Sequence, residues 1–237
     1  MKKKLLIIIP IVIVVAIALG YIGYRGYKNR QTFEFTEHLD DTAVTINEEA
    51  LLYRELSFYV LYIEQKVERD ARVYNSESPK DWWNSYLNGK FVSVQAAEAV
   101  MDMAVHDRIM YDRAIQEGIT LTDEERAQIQ FAHADFWEDL YDEQLERLPV
   151  SKEEIDENFE RIALGEKYQR KLAAEKGVND FEYEFDGYEY KQMRDNEYKI
   201  KVDDNYKKLV FGEITLHHNK TSFINGWTSD SKKKNVR

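Results

Sequence analysis

A mainly α-helical body behind a single N-terminal membrane-spanning helix, with a few short strands, is the fold class this sequence predicts. Three observations predict it. Residues 5–24 form an uncharged, almost purely aliphatic run, and a helix of that length covers roughly 30 Å, the thickness of a bilayer's hydrocarbon. Two capping boxes, Thr122 with Glu125 and Ser151 with Glu154, mark helix starts. Gly118 and Gly177 close long stretches of 3–4-residue apolar spacing, as C-terminal helix stops do.

The membrane segment spans Leu5 to Tyr24, with Lys2, Lys3 and Lys4 before it, Tyr21 and Tyr24 at its end and Arg25 beyond. That is the arrangement of interfacial anchors around a span. Ala16-Ile17-Ala18 has the small-x-small form of a signal-peptide cleavage site, but the apolar run continues past it, so an uncleaved signal-anchor is expected. Residues 1–30 hold six basic side chains and no acidic one, so the overall charge of −11 conceals a remainder with 27 basic and 44 acidic groups, a net −17. Such a surface disfavours nucleic acid as a partner. The chain has no Cys, which excludes disulfides, thiol nucleophiles, Cys-ligated zinc and a lipid anchor on Cys.

The remaining elements follow in order. Residues 31–41 are polar and read as a linker. Thr42–Ile46 alternates with β-branched residues and ends at Asn47, expected as the N-cap of a first helix over Glu48–Asp70 carrying Leu52, Leu56, Tyr59, Ile63 and Val67. Asp81–Asn84 predicts a short helical turn. A second long helix is expected over Val94–Glu117, with Ala97, Met101, Ala104, Val105 and Ile109 on one side. The third, opened by Thr122, should present Ala127, Phe131, Phe136 and Leu140. The fourth, opened by Ser151, carries Ile155, Phe159, Ile162, Tyr168 and Leu172. Residues 181–191 alternate aromatic and acidic side chains around Asp186-Gly187, which predicts a β-hairpin. Tyr198–Val202 and Val210–Leu216 read as further strands, and 219–237 as a polar tail with Lys232, Lys233 and Lys234.

Catalytic and metal-binding signatures are scarce. His133 and Asp135 are two residues apart on a helix, and His217-His218 would point to opposite faces of a strand, so neither pair has the spacing of a helical metal site. No glycine-rich phosphate loop and no Gly-x-Ser-x-Gly elbow is present, and the carboxylates fall mostly on predicted solvent faces. No catalytic residue, metal or cofactor is expected. The candidate site is instead an aromatic and Met set: Trp82, Trp83, Tyr86 and Phe91 between the first two helices, with Met103 and Met110 one heptad apart on the second. Such side chains adapt to varied apolar partners, and as a group they point to a peptide-binding groove, against plain core packing for each residue alone.

The stretch Ala114-Ile115-Gln116-Glu117-Gly118-Ile119-Thr120-Leu121-Thr122-Asp123-Glu124-Glu125 resembles the helix–Gly–helix junction of the SurA N-terminal domain, shared by SurA- and PrsA-type extracytoplasmic chaperones. In the same order as in that family, Val44–Asn47 resembles the strand leading into the first helix, and Ser151–Ile155 the start of the late helix. Tyr168–Leu172 resembles that helix's end, and Tyr198–Leu216 with Phe211-Gly212 the returning segment. The resemblance covers residues 42–216, with 42–218 as the helical domain. It implies a chaperone lobe that holds unfolded or partly folded exported polypeptides. Foldases of the family carry a parvulin-type isomerase domain between the late helix and the returning segment. The interval from Gly177 to Tyr198 is too short for a domain, so isomerase activity is expected to be absent. The expected function is a membrane-anchored, extracytoplasmic holdase whose acidic exterior favours basic clients. An assembly partner of one envelope complex and an isomerase-related foldase are the alternatives.

Overall fold

A computed structural model describes residues 19–21 and 33–217. Leu19–Tyr21 are helical. The rest of the expected membrane span and the expected tail lie outside the described residues. No helix among the described residues is long and apolar enough to cross a membrane. Residues 34–217 belong to one unit, mainly helical as expected.

The polar stretch expected as a linker is part of this body from Glu34 on. Phe35 is buried in a short 3-10 turn, Phe35–Glu37, and its ring meets Tyr53 edge-on at 5.9 Å. The following strand β1, Thr42–Ile46, is where β-branched alternation places it. The expected N-cap at Asn47 is not one. Asn47 has φ 55°, a left-handed conformation that Asn tolerates better than most residues, and it turns the chain into β2, Glu49–Leu52. β2 pairs antiparallel with β1, Ile46 opposite Glu49 and Val44 opposite Leu51. Asn47 Oδ1 also accepts from the backbone N–H of Lys199 at 2.9 Å. That bond sets the register of β5, Ile200–Val202, against the other edge of β1, with Val44 opposite Val202. The sheet order is β2-β1-β5. The first long helix, α1, therefore covers Ser57–Tyr74, later than the expected Glu48–Asp70. Leu52, expected in that helix, instead ends β2 half-buried, with its neighbour Leu51 buried.

Helix α2 is the short Lys80–Trp83 turn. A hairpin then forms between β3, Tyr86–Leu87, and β4, Lys90–Phe91. Its two central residues, Asn88 and Gly89, have φ 51° and 84°; both are left-handed, as the tight hairpin turn favouring Asn-Gly requires. Helix α3, Val92–Gln116, buries Ala97, Met101, Ala104, Val105 and Ile109, the face its spacing predicts. Both capping boxes form: α4, Asp123–Asp139, opens with Glu125 N–H donating to Thr122 Oγ1 at 3.2 Å, and α6, Lys152–Lys176, opens on Ser151. Between them lies the short α5, Asp142–Leu145. Gly118 and Gly177 have φ 67° and 71°, the left-handed stops anticipated for α3 and α6.

The core is centred on the crossing of α3 and α6, the most extensive helix–helix contact. Gly165 lies at the crossing, where an added Cβ would stand 3.1 Å from Met110 Cβ and 3.4 Å from the Tyr111 backbone nitrogen. Gly165→Ala is expected to be close to neutral, since a gain of about 1 kcal/mol in helix propensity offsets a shift of a few tenths of an ångström. Gly165→Leu is expected to cost about 3 kcal/mol by forcing the helices apart. Denaturant midpoints of the two variants check the pair, and equal stability would refute the close crossing.

The hairpin expected over 181–191 does not exist. The chain makes a 3-10 turn, Asp180–Tyr183, followed by α7, Tyr188–Glu197. Gly187 has φ −66°, so it is not a left-handed hairpin glycine. It is needed for space, because a Cβ there would sit 2.3 Å from the Glu182 carbonyl oxygen. The aromatic alternation served helical burial: Tyr183 and Tyr190 are interior, while Phe181 and Tyr188 are exposed.

The segment expected as a strand over Val210–Leu216 is irregular. It is pinned by a buried carboxylate. Glu64 of α1 accepts from the backbone N–H groups of Gly212 (2.6 Å), Ile214 (3.2 Å) and Thr215 (2.8 Å) and from Thr215 Oγ1 (2.6 Å). Gln144 Nε2 donates to Thr215 Oγ1 at 3.0 Å and to the Leu61 carbonyl at 3.2 Å. A strand would have needed a partner edge for these amides; the carboxylate takes that role, and Phe211 and Leu216 are buried beneath.

Candidate functional site

The six residues singled out from sequence do not meet in one place. Trp83, Phe91 and Met110 are fully buried core residues. Trp83 Nε1 donates to Glu68 Oε2 at 2.9 Å. Trp82 is half-buried and packs on Tyr74 at 5.1 Å. Tyr86 is partly exposed on the β3–β4 hairpin, edge-on to Phe91 at 5.1 Å. Met103 alone lines a large concavity.

That concavity is a cleft of about 990 Å³, at the upper end of the range for ligand pockets. Phe58, Tyr62 and Gln65 of α1 and Met103, His106 and Asp107 of α3 form part of its lining. Helix α6 contributes Phe159, Ile162, Ala163 and Glu166, and residues 180–185 a further wall with Asp180, Glu184 and Phe185. Helix α4 covers one side. Its lining positions, Glu125, Gln128, Ile129, Ala132, Asp135, Phe136 and Asp139, follow a spacing of three or four residues, so they share one helical face.

The position of α4 follows from how few of its residues pack. Phe136 is the only buried side chain in its 17 residues, and Phe131, expected to face the core, is 72% exposed. Polar and aromatic contacts hold it instead, running antiparallel along α6. Lys167 Nζ reaches Glu125 Oε2 at 2.7 Å and the Thr120 carbonyl at 2.9 Å. Arg126 pairs with Glu160 at 2.7 Å, and Trp137 Nε1 and His133 Nε2 both contact Asp156 Oδ1 at 2.8 Å. At that end Phe136 stacks on Phe58 at 5.0 Å, and Phe159 meets both edge-on at 5.3 and 5.4 Å. Aromatic pairs in these geometries add about 0.5–1.5 kcal/mol each beyond burial. The cluster fixes the C-terminal end of α4 and leaves the apolar face of its middle over the cleft.

The polar groups of the lining orient it further. His106 is buried, with Nδ1 2.7 Å from Asp107 Oδ1 and Nε2 2.9 Å from the Tyr183 carbonyl, which ties α3 to the wall at 180–185. Tyr59 donates to Asp107 Oδ2 at 3.0 Å; burial first, then the Asp107 carboxylate, push the Tyr59 phenol well above its usual value. Asp107 is thus committed to structure and is no free general base. His133 is engaged by Asp156 and is not near a ligand set: among the described residues no group of three His, Cys, Asp or Glu is placed to hold a metal ion. The lining combines buried or half-buried apolar side chains with carboxylates that are mostly exposed.

No family model, curated protein or solved structure matches the chain.

The Trp-rich segment, away from the cleft, carries the stronger compositional signal in the sequence. A signal was available: Ile129, Ala132 and Phe136 share a face with Gln128 and Asp135, a narrow apolar stripe on a helix too polar to be packed on two sides.

Proposed function

We propose that this protein is a membrane-anchored, extracytoplasmic holdase-like chaperone that reversibly buries apolar segments of unfolded or partly folded polypeptides in the cleft beneath α4. The observation that carries the reading is the cleft itself. It has room for several side chains of a polypeptide, is lined by aromatic, Met and Ile side chains, and is covered by a helix held chiefly along one edge. Binding is then hydrophobic burial of client side chains, with few fixed polar contacts and hence little discrimination among apolar side chains. The uncharged run Leu5–Tyr24 supports the membrane anchor, and the resemblance to SurA- and PrsA-type chaperones supports the extracytoplasmic placement. The interval between α6 and β5, filled by one 3-10 turn and α7, supports the absence of an isomerase domain.

The test compares two variants on the same helix. Ile129 faces the cleft, half-buried, and Phe131 faces away. Ile129→Asn is expected to weaken suppression of aggregation of a reduced, unfolded client several-fold, whereas Phe131→Asn leaves it unchanged. Light scattering during client refolding measures both. Absence of suppression by the wild-type chain at several-fold molar excess would overturn the proposal, as would equal effects of the two substitutions.

A further inference from the structure

The mouth of the cleft carries more negative charge than its own cations balance. Glu125 is paired with Lys167, and Glu166 with Arg170 at 3.6 Å. Asp107 is engaged by Tyr59 and His106. Four further lining carboxylates, Asp135 and Asp139 one turn apart on α4 and Asp180 and Glu184 beside α6, make no ion pair with a described residue. All four are exposed at the opening, and Arg170 is the only Lys or Arg among the described lining residues. Further in, Phe58 is buried and Met103, Phe159 and Ile162 are half-buried, beside the buried polar side chains Gln65, His106 and Gln169. A ligand that satisfies both zones carries apolar side chains for the interior and cations for the mouth.

We infer that the cleft selects flexible polypeptide segments, supplied in trans, in which apolar residues are flanked by Lys or Arg. This rests on the chaperone reading above and assigns its client class. Attraction at an exposed site is modest for each pair, less than about tenfold in affinity, but four carboxylates around one opening act together and favour cations at low ionic strength. An acidic segment meets the same four charges as repulsion, so selection works by exclusion as well as attraction.

The experiment uses the full chain in zwitterionic lipid nanodiscs, with empty nanodiscs as reference. Fluorescence anisotropy follows three labelled probe peptides that share one Leu/Phe core and carry four Lys, four Gln or four Glu. At low salt the Lys peptide is expected to bind about tenfold more tightly than the Gln peptide, and the Glu peptide more weakly than either. In about 1 M salt the Lys advantage should fall to about twofold or less, because screening acts within about 3 Å. In the Asp135→Asn, Asp139→Asn, Asp180→Asn, Glu184→Gln variant the ratio of Lys-peptide to Gln-peptide affinity should fall to about one, and an unchanged tenfold ratio would overturn the inference. The salt series on the wild-type chain gives an independent reading should that variant fail to fold. Equal affinity for the Lys and Gln peptides overturns the client class but leaves the chaperone reading standing. Failure of all three peptides to bind overturns both. A chain truncated before Lys232 that binds the Lys peptide where the full chain does not would assign the cleft to the protein's own basic end. Exclusion of the probes by concentration-dependent self-association would assign it to a second copy. Either result overturns the inference.

Discussion

Glu64→Ala is expected to lower stability by about 4 kcal/mol, because it removes one acceptor and leaves three backbone N–H groups and a hydroxyl buried without it. For a body of this size the shift in midpoint is roughly 8–16 °C, read by thermal unfolding followed by circular dichroism. The loss should be local first. Residues 210–216 are held to α1 chiefly through this carboxylate, so amide exchange in that segment should rise before the rest of the body opens. The effect also depends on pH. Burial, outweighing the hydrogen bonds from Thr215, Gly212 and Ile214, raises the Glu64 carboxyl above its ordinary value of 4.5. A carboxyl raised in the folded state contributes stability that is complete below pH 4.5 and is lost as pH rises through the folded value. The wild type's margin over Glu64→Ala should therefore be widest in acid and narrow toward neutrality. A margin that widens with pH would show that the four donors dominate over burial.

Trp83→Ala is expected to cost about 3–5 kcal/mol, the range for deleting a buried aromatic side chain, and to leave client binding intact wherever the protein remains folded. Trp83 is 0% exposed, and its indole N–H holds Glu68, which also binds Arg72 at 2.9 Å. Arg72 in turn pairs with Glu143 and covers the Tyr141 ring at 3.9 Å. Loss of the indole thus loosens a chain of contacts from α2 through α1 to the α5 region. Trp83→Phe retains most of the buried volume and should lose about half as much. Peptide titrations below the variant's midpoint separate the two readings of this residue: an unchanged dissociation constant makes it core, and a selective loss of binding at preserved stability would return it to the binding surface.

How much of this was legible in the sequence is clearest at particular elements. Both capping boxes and both terminal glycines placed α3, α4 and α6 because these signals are local: the groups that satisfy a helix end lie within four residues of it. Asn47 misled because Asn serves equally as an N-cap and as a left-handed turn residue, and only the pairing of Glu49–Leu52 with β1 decides between them. Asp186-Gly187 misled for a related reason. A hairpin needs its second strand to find a partner edge, while the close approach of Gly187 to the Glu182 carbonyl favours a bend into α7. The Asn88-Gly89 pair carried the true hairpin signal in a run too short to show alternation.

The candidate site was less legible than the fold. Aromatic content marked Trp82, Trp83, Tyr86 and Phe91 as notable, but composition does not distinguish a residue that fills a core from one that lines a cleft. That distinction is a matter of whether a neighbouring helix covers the side chain.

By itself the sequence determined the helical class, the end of α3, the start of α4 and both ends of α6, the charge of the body and the apolar run at its N-terminus. These follow from spacing, end-capping and composition within short windows of chain. Only the tertiary structure decided that Glu64 anchors the returning segment across about 150 residues of chain, that Trp83 lies inside, and that α4 stands over a cleft with unpaired carboxylates at its mouth. Each of these depends on which surfaces meet at long range, and burial and pairing at such contacts carry no signature in local sequence.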